Sequence, residues 1–444
     1  MAHALSAPVQ CFPRCNESEE LGADHPVRST YALVLAGGRG ARLKQMTDGC
    51  AKPAVPFAGS LKIIDFTLSN CVNSGIRQIS VLTQYKAQSL NRHIGQDWAF
   101  LGADGGEFID VVPSQQSAGL AGYSGTADAV YQNLSRVRRT NPRLVLILAG
   151  DHVYKMDYRR IIEDHLKRNA DLTVACIEVP LAQASAFGVM GIDARARIRV
   201  FDEKPACPKA IAGRPGRALA SMGIYVFDAD FLYRELQRDA IDTGSSHDFG
   251  HDIIPRVISS GRVFAHDFAS SCVGRGNAEP YWRDVGTLDA YWQANMDLAR
   301  PDPEFNLYDD SWPIRGKLQD MPPKAVVFND EGSCGLEGES LVSSGCVVSG
   351  ATVRRSMLFS KAQVGNGSVI EDSLLLPNVV LGRNCTLRRV IIDSHCVLPD
   401  GMQIGLNREH DRSRFTVSGN GVTLVTPAML GQFDKHVPAT RAYA

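Results

Sequence analysis

Near the C-terminus four apolar residues recur at a fixed interval of 17: Val347, Val364, Leu381 and Leu398. Each has an apolar partner six positions on, at Val353, Ile370, Leu387 and Ile404. A register held over four passes excludes most architectures. A β-sandwich alternates at period two and does not keep such a register. A helical solenoid needs longer repeats, with less Gly, Val and Ser than this stretch carries. Three turns of about six residues close one triangular coil, whose inward side chains stack on those of the next. The spacing therefore predicts a parallel β-helix over 336–444.

Upstream the texture is different. Short apolar runs at Tyr31–Ala36, Gln78–Thr83, Leu144–Ala149 and Leu172–Ile177 read as buried strands. Between them, Thr126–Arg139 and Asp157–Asn169 carry helical periodicity, and Met222–Phe227 and Phe231–Leu236 continue the alternation. That pattern predicts an α/β domain with a mostly parallel sheet over 30–300. Pro301, Pro303, Pro313, Pro322 and Pro323 crowd the next stretch too densely for a helix or a central strand. The segment 301–335 reads as a linker, packed by Phe305, Tyr308 and Trp312. Residues 1–29, with three prolines and the pair Cys11 and Cys15, read as a flexible extension.

Composition narrows the function. Lys and Arg number 47 against 48 Asp and Glu, which argues against nucleic acid or an anionic membrane as the main partner. No apolar run approaches the roughly 18 residues needed to cross a bilayer, and no secretory signal is visible. Eleven cysteines without paired spacing point to a reduced, cytoplasmic setting. Glycine, at 40 of 444 residues, is in excess.

Part of that excess lies in Leu35-Ala-Gly-Gly-Arg-Gly-Ala-Arg-Leu43, directly after a strand. Gly37, Gly38 and Gly40 let backbone amides approach a phosphate chain, and Arg39 and Arg42 add positive charge. The Walker ending is absent, and Leu43 stands where a G-x-G-x-x-G motif has its last glycine. A glycine turn alone is better explained by structure. The basic anchor at Ala51-Lys52-Pro53 favours phosphate, because the proline biases Lys52 toward an extended conformation. Two acids complete the set. Asp151 follows Gly150 at the end of the Leu144–Ala149 strand, where parallel sheets bind ligands. Asp284 sits in the turn Trp282-Arg-Asp-Val-Gly-Thr287. Two carboxylates beside phosphate-binding cations suit Mg²⁺, which needs few protein ligands beyond its substrate's oxygens. Either acid could instead cap a helix or turn; the glycine and strand end before Asp151 favour metal there, whereas Asp284 alone is open between the two.

Together these residues resemble the sugar-nucleotide pyrophosphorylases, most closely the bacterial branch that uses ATP. The matching segments are LAGGRGARL at 35–43, AKPAV at 51–55, IIDFTLSNCVNSGI at 63–76, GTADAV at 125–130 and ILAGDHVYKMDY at 147–158. They continue with ASAFGVM at 184–190, EKPA at 203–206, ASMGIYVFDAD at 220–230, SSHDFGHDIIP at 245–255 and EPYWRDVGT at 279–287. The resemblance runs from about Tyr31 to the C-terminus. It implies a Rossmann-like, GT-A-like nucleotidyltransferase domain followed by a left-handed β-helix. It also implies a regulated homotetramer that makes ADP-glucose and pyrophosphate from ATP and α-D-glucose 1-phosphate, the committed step of bacterial glycogen synthesis.

The resemblance assigns Asp151 and Asp284 to the metal, and Arg39 and Lys52 to the phosphates. Gly37, Gly38, Gln115 and Gly125 fall to the nucleotide. Tyr123, Gly188, Glu203, Lys204 and Ser221 match glucose 1-phosphate positions, with Lys204 on the sugar phosphate. The residues themselves agree for Glu203-Lys204-Pro205, which sets an acid for hydroxyls beside a cation for phosphate. Regulation departs from the family pattern. Asp48-Gly49-Cys50 carries no positive charge where relatives place basic residues, Pro56 replaces a His or Tyr, Lys62 replaces an Arg, and Gly122 replaces an aromatic residue. A weakened response to fructose 1,6-bisphosphate follows, while Arg139, Arg388 and Arg389 could serve an anionic effector or be plain surface arginines. The alternatives are a pyrophosphorylase for another nucleotide, such as UTP or dTTP, and a catalytically dead regulatory subunit. A third is a bifunctional acyltransferase, for which His395 is the lone histidine of the 347–404 coils.

Overall fold

The computed structural model describes residues 25–100, 106–114, 122–274, 279–316, 324–327, 335–336 and 339–432. The pair Cys11 and Cys15 and the residue Gln115 lie outside them. The first half is built on a nine-stranded sheet. Strand Thr30–Leu35 is central, flanked in parallel by Leu144–Ala149 on one side and by Gln78–Thr83 and then Phe108–Pro113 on the other. Both faces of Thr30–Leu35 and Leu144–Ala149 are covered. Ala32 and Val34 join one core with Leu144, Leu146 and Leu148, and Tyr31 and Leu33 join a second with Val145 and Ile147. That is why the sequence reads there as unbroken apolar runs rather than as alternation.

Beyond Leu144–Ala149 the sheet changes direction. The long strand Arg217–Asp228 pairs antiparallel with it, with Leu172–Pro180 and with Gly188–Ile192, so the sheet is parallel on one flank and mixed on the other. The register of Arg217–Asp228 shifts between Ser221 and Tyr225, around Gly223 at a φ of 67°. The single helix expected over Thr126–Arg139 is two, Thr126–Tyr131 and Leu134–Arg139. Between them the Asn133 side chain donates to the Ala129 carbonyl at 2.8 Å, and such local bonding competes with helix propagation. Phe231–Leu236 is helical, inside Ala229–Ala240, which Asp228 caps by accepting from the Phe231 amide.

The proline-rich stretch packs against the first half. Trp312 donates to the Asn70 side chain at 2.9 Å, and the buried Lys155 pairs with Asp309 at 3.2 Å. The coils begin inside the stretch read as linker, since Ala325–Val327 already pairs in parallel with Val347–Ser349. Three stacked parallel sheets then form a triangular β-helix. Val353, Ile370, Leu387 and Ile404 are in register and fully buried. On the neighbouring face the column is Val348, Val364, Leu381 and Leu398; Val347 lies beside Gln363 and is only half-buried. The coil that starts at Val348 is therefore one residue short, and it turns its corner at Gly350 with a φ of 48°.

The two halves share a core. Leu43, Val55, Phe57, Tyr291 and Trp292 from the first pack with Met357, Phe359, Leu374, Ile391 and Leu424 from the β-helix. Trp292 donates to the Asp372 carbonyl at 2.8 Å, and the Arg389 guanidinium lies 4.3 Å over its indole. Among the described residues no helix is long and apolar enough to cross a membrane, and the cysteines are free thiols.

Candidate active site

The site forms where the parallel strands end. The chain leaves Thr30–Leu35 into the glycine loop and leaves Leu144–Ala149 into Gly150 and Asp151. A Cβ at Gly150 would lie 2.9 Å from Val34 and 3.2 Å from the Leu35 carbonyl, so a larger residue would push these two strand ends apart. Asp284 arrives on a short ribbon: Trp282–Asp284 pairs antiparallel with His152–Tyr154, with Asp284 opposite His152. This register sets two acids 133 positions apart in sequence beside each other.

Lys52 lies between them. Its Nζ donates to Asp151 Oδ2 at 2.9 Å and to Asp284 Oδ1 at 2.7 Å, and the residue is 4% exposed. The lysine reaches this position because Gly40, at a φ of 68°, passes against its stem; a Cβ there would sit 2.8 Å from Lys52 Cβ. Arg42 donates to the other Asp284 oxygen at 3.2 Å, and His152 Nε2 is 3.6 Å from Asp151 Oδ1. Burial opposes every charge here, yet the ion pairs prevail. Asp151 is held below the usual carboxylate range by Lys52 and His152, and Asp284 is lowered by the same two neighbours. The Lys52 ammonium is raised despite burial because both carboxylates favour its charged form.

Asp151, His152 and Asp284 offer donor atoms that all lie within 4.8 Å of one another. Two hard carboxylates with one imidazole, half-buried at a strand end, fit a divalent cation. Among the described residues this cluster stands alone as a group of three or more donors.

The remaining expected residues fall around this centre. Gly37 rests against Gln84, Gly38 is open to solvent on its Cβ side, and Arg39 is exposed with its guanidinium 5.5 Å over the Tyr85 ring. Gly125 opens the Thr126–Tyr131 helix, and a Cβ there would strike the His247 carbonyl at 2.2 Å, so close packing alone requires a glycine. Tyr123 is half-buried; its hydroxyl accepts from Asn133 at 3.1 Å and its carbonyl from Gln84 at 3.3 Å. Gly188, Glu203, Lys204 and Ser221 gather at one end of three adjacent strands. Gly188 pairs with Glu203, and a Cβ on Gly188 would lie 2.8 Å from the Glu203 carboxylate. Lys204 is exposed and pairs with Glu203, and Ser221 is buried one position past the Ala220–Val189 couple. The Gly223 bulge lies between this group and the acids: a Cβ there would sit 3.3 Å from Ala149 Cβ and 3.9 Å from the His152 ring.

The three candidate effector arginines are not gathered in one group. Arg139 and Arg388 are exposed, on the Leu134–Arg139 helix and on the β-helix respectively. Arg389 is turned onto Trp292. His395 is also exposed. Sequence reasoning missed two participants. His152 was legible only as the neighbour of Asp151, and Gln84, which donates to the Tyr123 carbonyl and fills the space a Cβ on Gly37 or Gly122 would need, carries no motif at all.

Residues 31–300 match the family model described as nucleotidyl transferase, and residues 322–425 match one described as GlmU-like, C-terminal hexapeptide, which agrees with a left-handed β-helix. The chain is similar along nearly its whole length to several proteins named glucose-1-phosphate adenylyltransferase. That of Dechloromonas aromatica is 54% identical over 434 residues, covering 97% of this chain and 99% of the relative. Those of Nitrosospira multiformis and Methylobacillus flagellatus are each 56% identical, covering 91% and 92% of this chain and 95% and 96% of theirs.

Proposed function

The chain belongs to the nucleotidyl transferase family, on the branch of the glucose-1-phosphate adenylyltransferases, and from that premise we propose how its residues carry the reaction. The enzyme joins ATP and α-D-glucose 1-phosphate into ADP-glucose and pyrophosphate. A phosphate oxygen of the sugar phosphate attacks the α-phosphorus of ATP in line. The new O–P bond forms as the bond to the β-phosphate oxygen breaks, and pyrophosphate leaves with the electron pair.

The observation that carries this reading is the convergence of Lys52, Asp151 and Asp284 at the mouth of the glycine loop. Asp151 and Asp284, with His152 beside them, would hold Mg²⁺. When bound, Mg²⁺ supplies Lewis-acid neutralisation of the phosphate oxygens. The amides of Gly37 and Gly38 bind the nucleotide phosphates, and Arg39 and Lys52 offset the negative charge that builds on them in the transition state. Gln115 and Gly125 belong to the nucleotide subsite. Glu203 accepts from sugar hydroxyls, exposed Lys204 holds the sugar phosphate, and Tyr123, Gly188 and Ser221 shape the sugar subsite.

In this reading the protein works in the cytoplasm as a homotetramer answering to small-molecule effectors. A cleft of about 550 Å³ between the halves, lined by Cys50, Pro56, Lys62, Lys361, Asp393 and His395, is where a sugar bisphosphate would meet few fixed positive charges. A weakened bisphosphate response is expected. The deciding assay is pyrophosphate release from glucose 1-phosphate with ATP against UTP, repeated with a panel of glycolytic metabolites. ATP should be preferred by at least about tenfold in kcat/KM. Equal use of UTP would reassign the enzyme among the pyrophosphorylases, and absence of release with either would favour a regulatory subunit.

A further inference from the structure

Each oxygen of the two acids already faces a cation or an imidazole. Asp151 Oδ2 and Asp284 Oδ1 accept from Lys52 at 2.9 and 2.7 Å. Asp284 Oδ2 accepts from Arg42 at 3.2 Å, and Asp151 Oδ1 faces His152 Nε2 at 3.6 Å. The formal charges of Lys52 and Arg42 cancel those of the two carboxylates. A bare divalent ion entering this group would leave two positive charges uncompensated in a half-buried site, and it would compete with Lys52 for the same lone pairs. An ion that arrives with a triphosphate brings its own negative charge, and the phosphates offer the displaced ammonium a new partner.

We infer that Lys52 is a resident counter-cation that keeps bare metal out of the Asp151–Asp284 site and yields it only when nucleotide phosphates draw the ammonium away. This rests on the reading of the two acids as the metal holders. Lys52 thereby orders the loading, in that metal and nucleotide enter together and the lysine moves from carboxylate to phosphate in the same step. The device depends on burial. The Lys52 side chain is 5% exposed and cannot swing into water, whereas Arg42, at 59%, can leave at little cost.

The test is Mn²⁺ binding to the full-length protein without nucleotide, read by electron paramagnetic resonance of free Mn²⁺. The wild type should bind weakly, and Lys52→Gln should bind at least about tenfold more tightly, because a competing charge within 3 Å has gone. Unchanged or weaker binding in Lys52→Gln overturns the inference. Should Lys52→Gln fail to fold, Lys52→Met, which keeps the buried stem and removes the charge, gives the second reading: it should also bind Mn²⁺ at least about tenfold more tightly, and no tightening there overturns the inference equally. Asp151→Asn separates the two levels. If it abolishes Mn²⁺ binding while the cation variants do not tighten it, the metal holders stand and the role of Lys52 falls. If it leaves Mn²⁺ binding untouched, the metal assignment itself falls, and the inference with it.

Discussion

Two half-buried acids, one in each half of the molecule, are held by opposite rules. Asp151 ends a strand of the central sheet with a lysine ammonium at 2.9 Å, and its carboxyl is held below the ordinary range. Asp393 lies on the β-helix at the cleft between the halves, where its carboxylate accepts from the Ser394 amide at 2.7 Å and forms no ion pair among the described residues. Burial pushes Asp393 up to about 6, and the Ser394 amide only partly offsets that. Burial alone does not set an acid's state; what sets it is whether the fold delivers a cation to the same place. The first half spends its glycines and its strand ends on that delivery. The β-helix, whose inward columns are apolar, places its ion pairs outside, as in Arg355 with Asp372 at 2.7 Å.

The comparison can be broken most sharply at Asp151. Asp151→Asn should lower kcat by about a thousandfold or more while the fold persists, because the substitution leaves the strand end in place. Near-normal turnover in pyrophosphate release would sink the assignment. Next comes Lys204→Ala, which should raise the KM for glucose 1-phosphate by roughly ten- to a hundredfold with a smaller change in kcat. A fall in kcat with an unchanged KM would move Lys204 away from the sugar phosphate.

Stability tests follow. Trp292→Ala, at the seam between the halves, should cost about 3 kcal/mol in denaturant unfolding, because it empties a packed site and strands Arg389 and the Asp372 carbonyl. A loss under about 1 kcal/mol would mean the seam contributes little. Asp393→Asn tests the other side of the comparison. An acid with a raised pKa burdens the fold once it must ionise, so the burden is small below the unfolded value near 4, grows as pH rises toward 6, and is constant above that. The variant should therefore gain on the wild type by on the order of 1 kcal/mol between pH 4.5 and pH 8. Asp151 and Asp284 have lowered values, so the stability they contribute is lost only at more acid pH and adds no slope in that window. Equal pH profiles for variant and wild type would refute the burial of Asp393. The smallest effect belongs to Arg355→Ala, an exposed ion pair, which should shift stability by no more than about 0.5 kcal/mol.

The parts of this molecule that could be read from the sequence are those whose cause is local or periodic. The column Val353, Ile370, Leu387 and Ile404 was legible because each coil repeats the last. The neighbouring column was read one residue early, at Val347 rather than Val348, because a corner shortened at Gly350 leaves no periodic trace when the flanking residues are both valine. The strand Gln78–Thr83 was legible as an apolar run, whereas the break at Asn133 was not, since it depends on one side chain bonding back to Ala129. At the site, the glycine loop, the Lys52-Pro53 step and the acids Asp151 and Asp284 were legible from the residues as one phosphate-and-metal set. Their meeting rests on the pairing of Asp284 with His152 and on the pressing of Gly40 against Lys52, contacts between distant segments that no local pattern encodes.

The shared core has a consequence for the order in which the chain is made. Leu43 and Val55 flank the segment that carries Lys52, and they pack in the same cluster as Ile391 and Leu424. Synthesis proceeds from the N-terminus, and a contact can form only after its later partner has left the ribosome. The loop that reaches the phosphates is among the first parts translated, yet the floor beneath it is completed among the last. A nascent chain released after Asp284 but before about residue 424 would carry every residue assigned here to catalysis and still lack part of the surface that holds them in place.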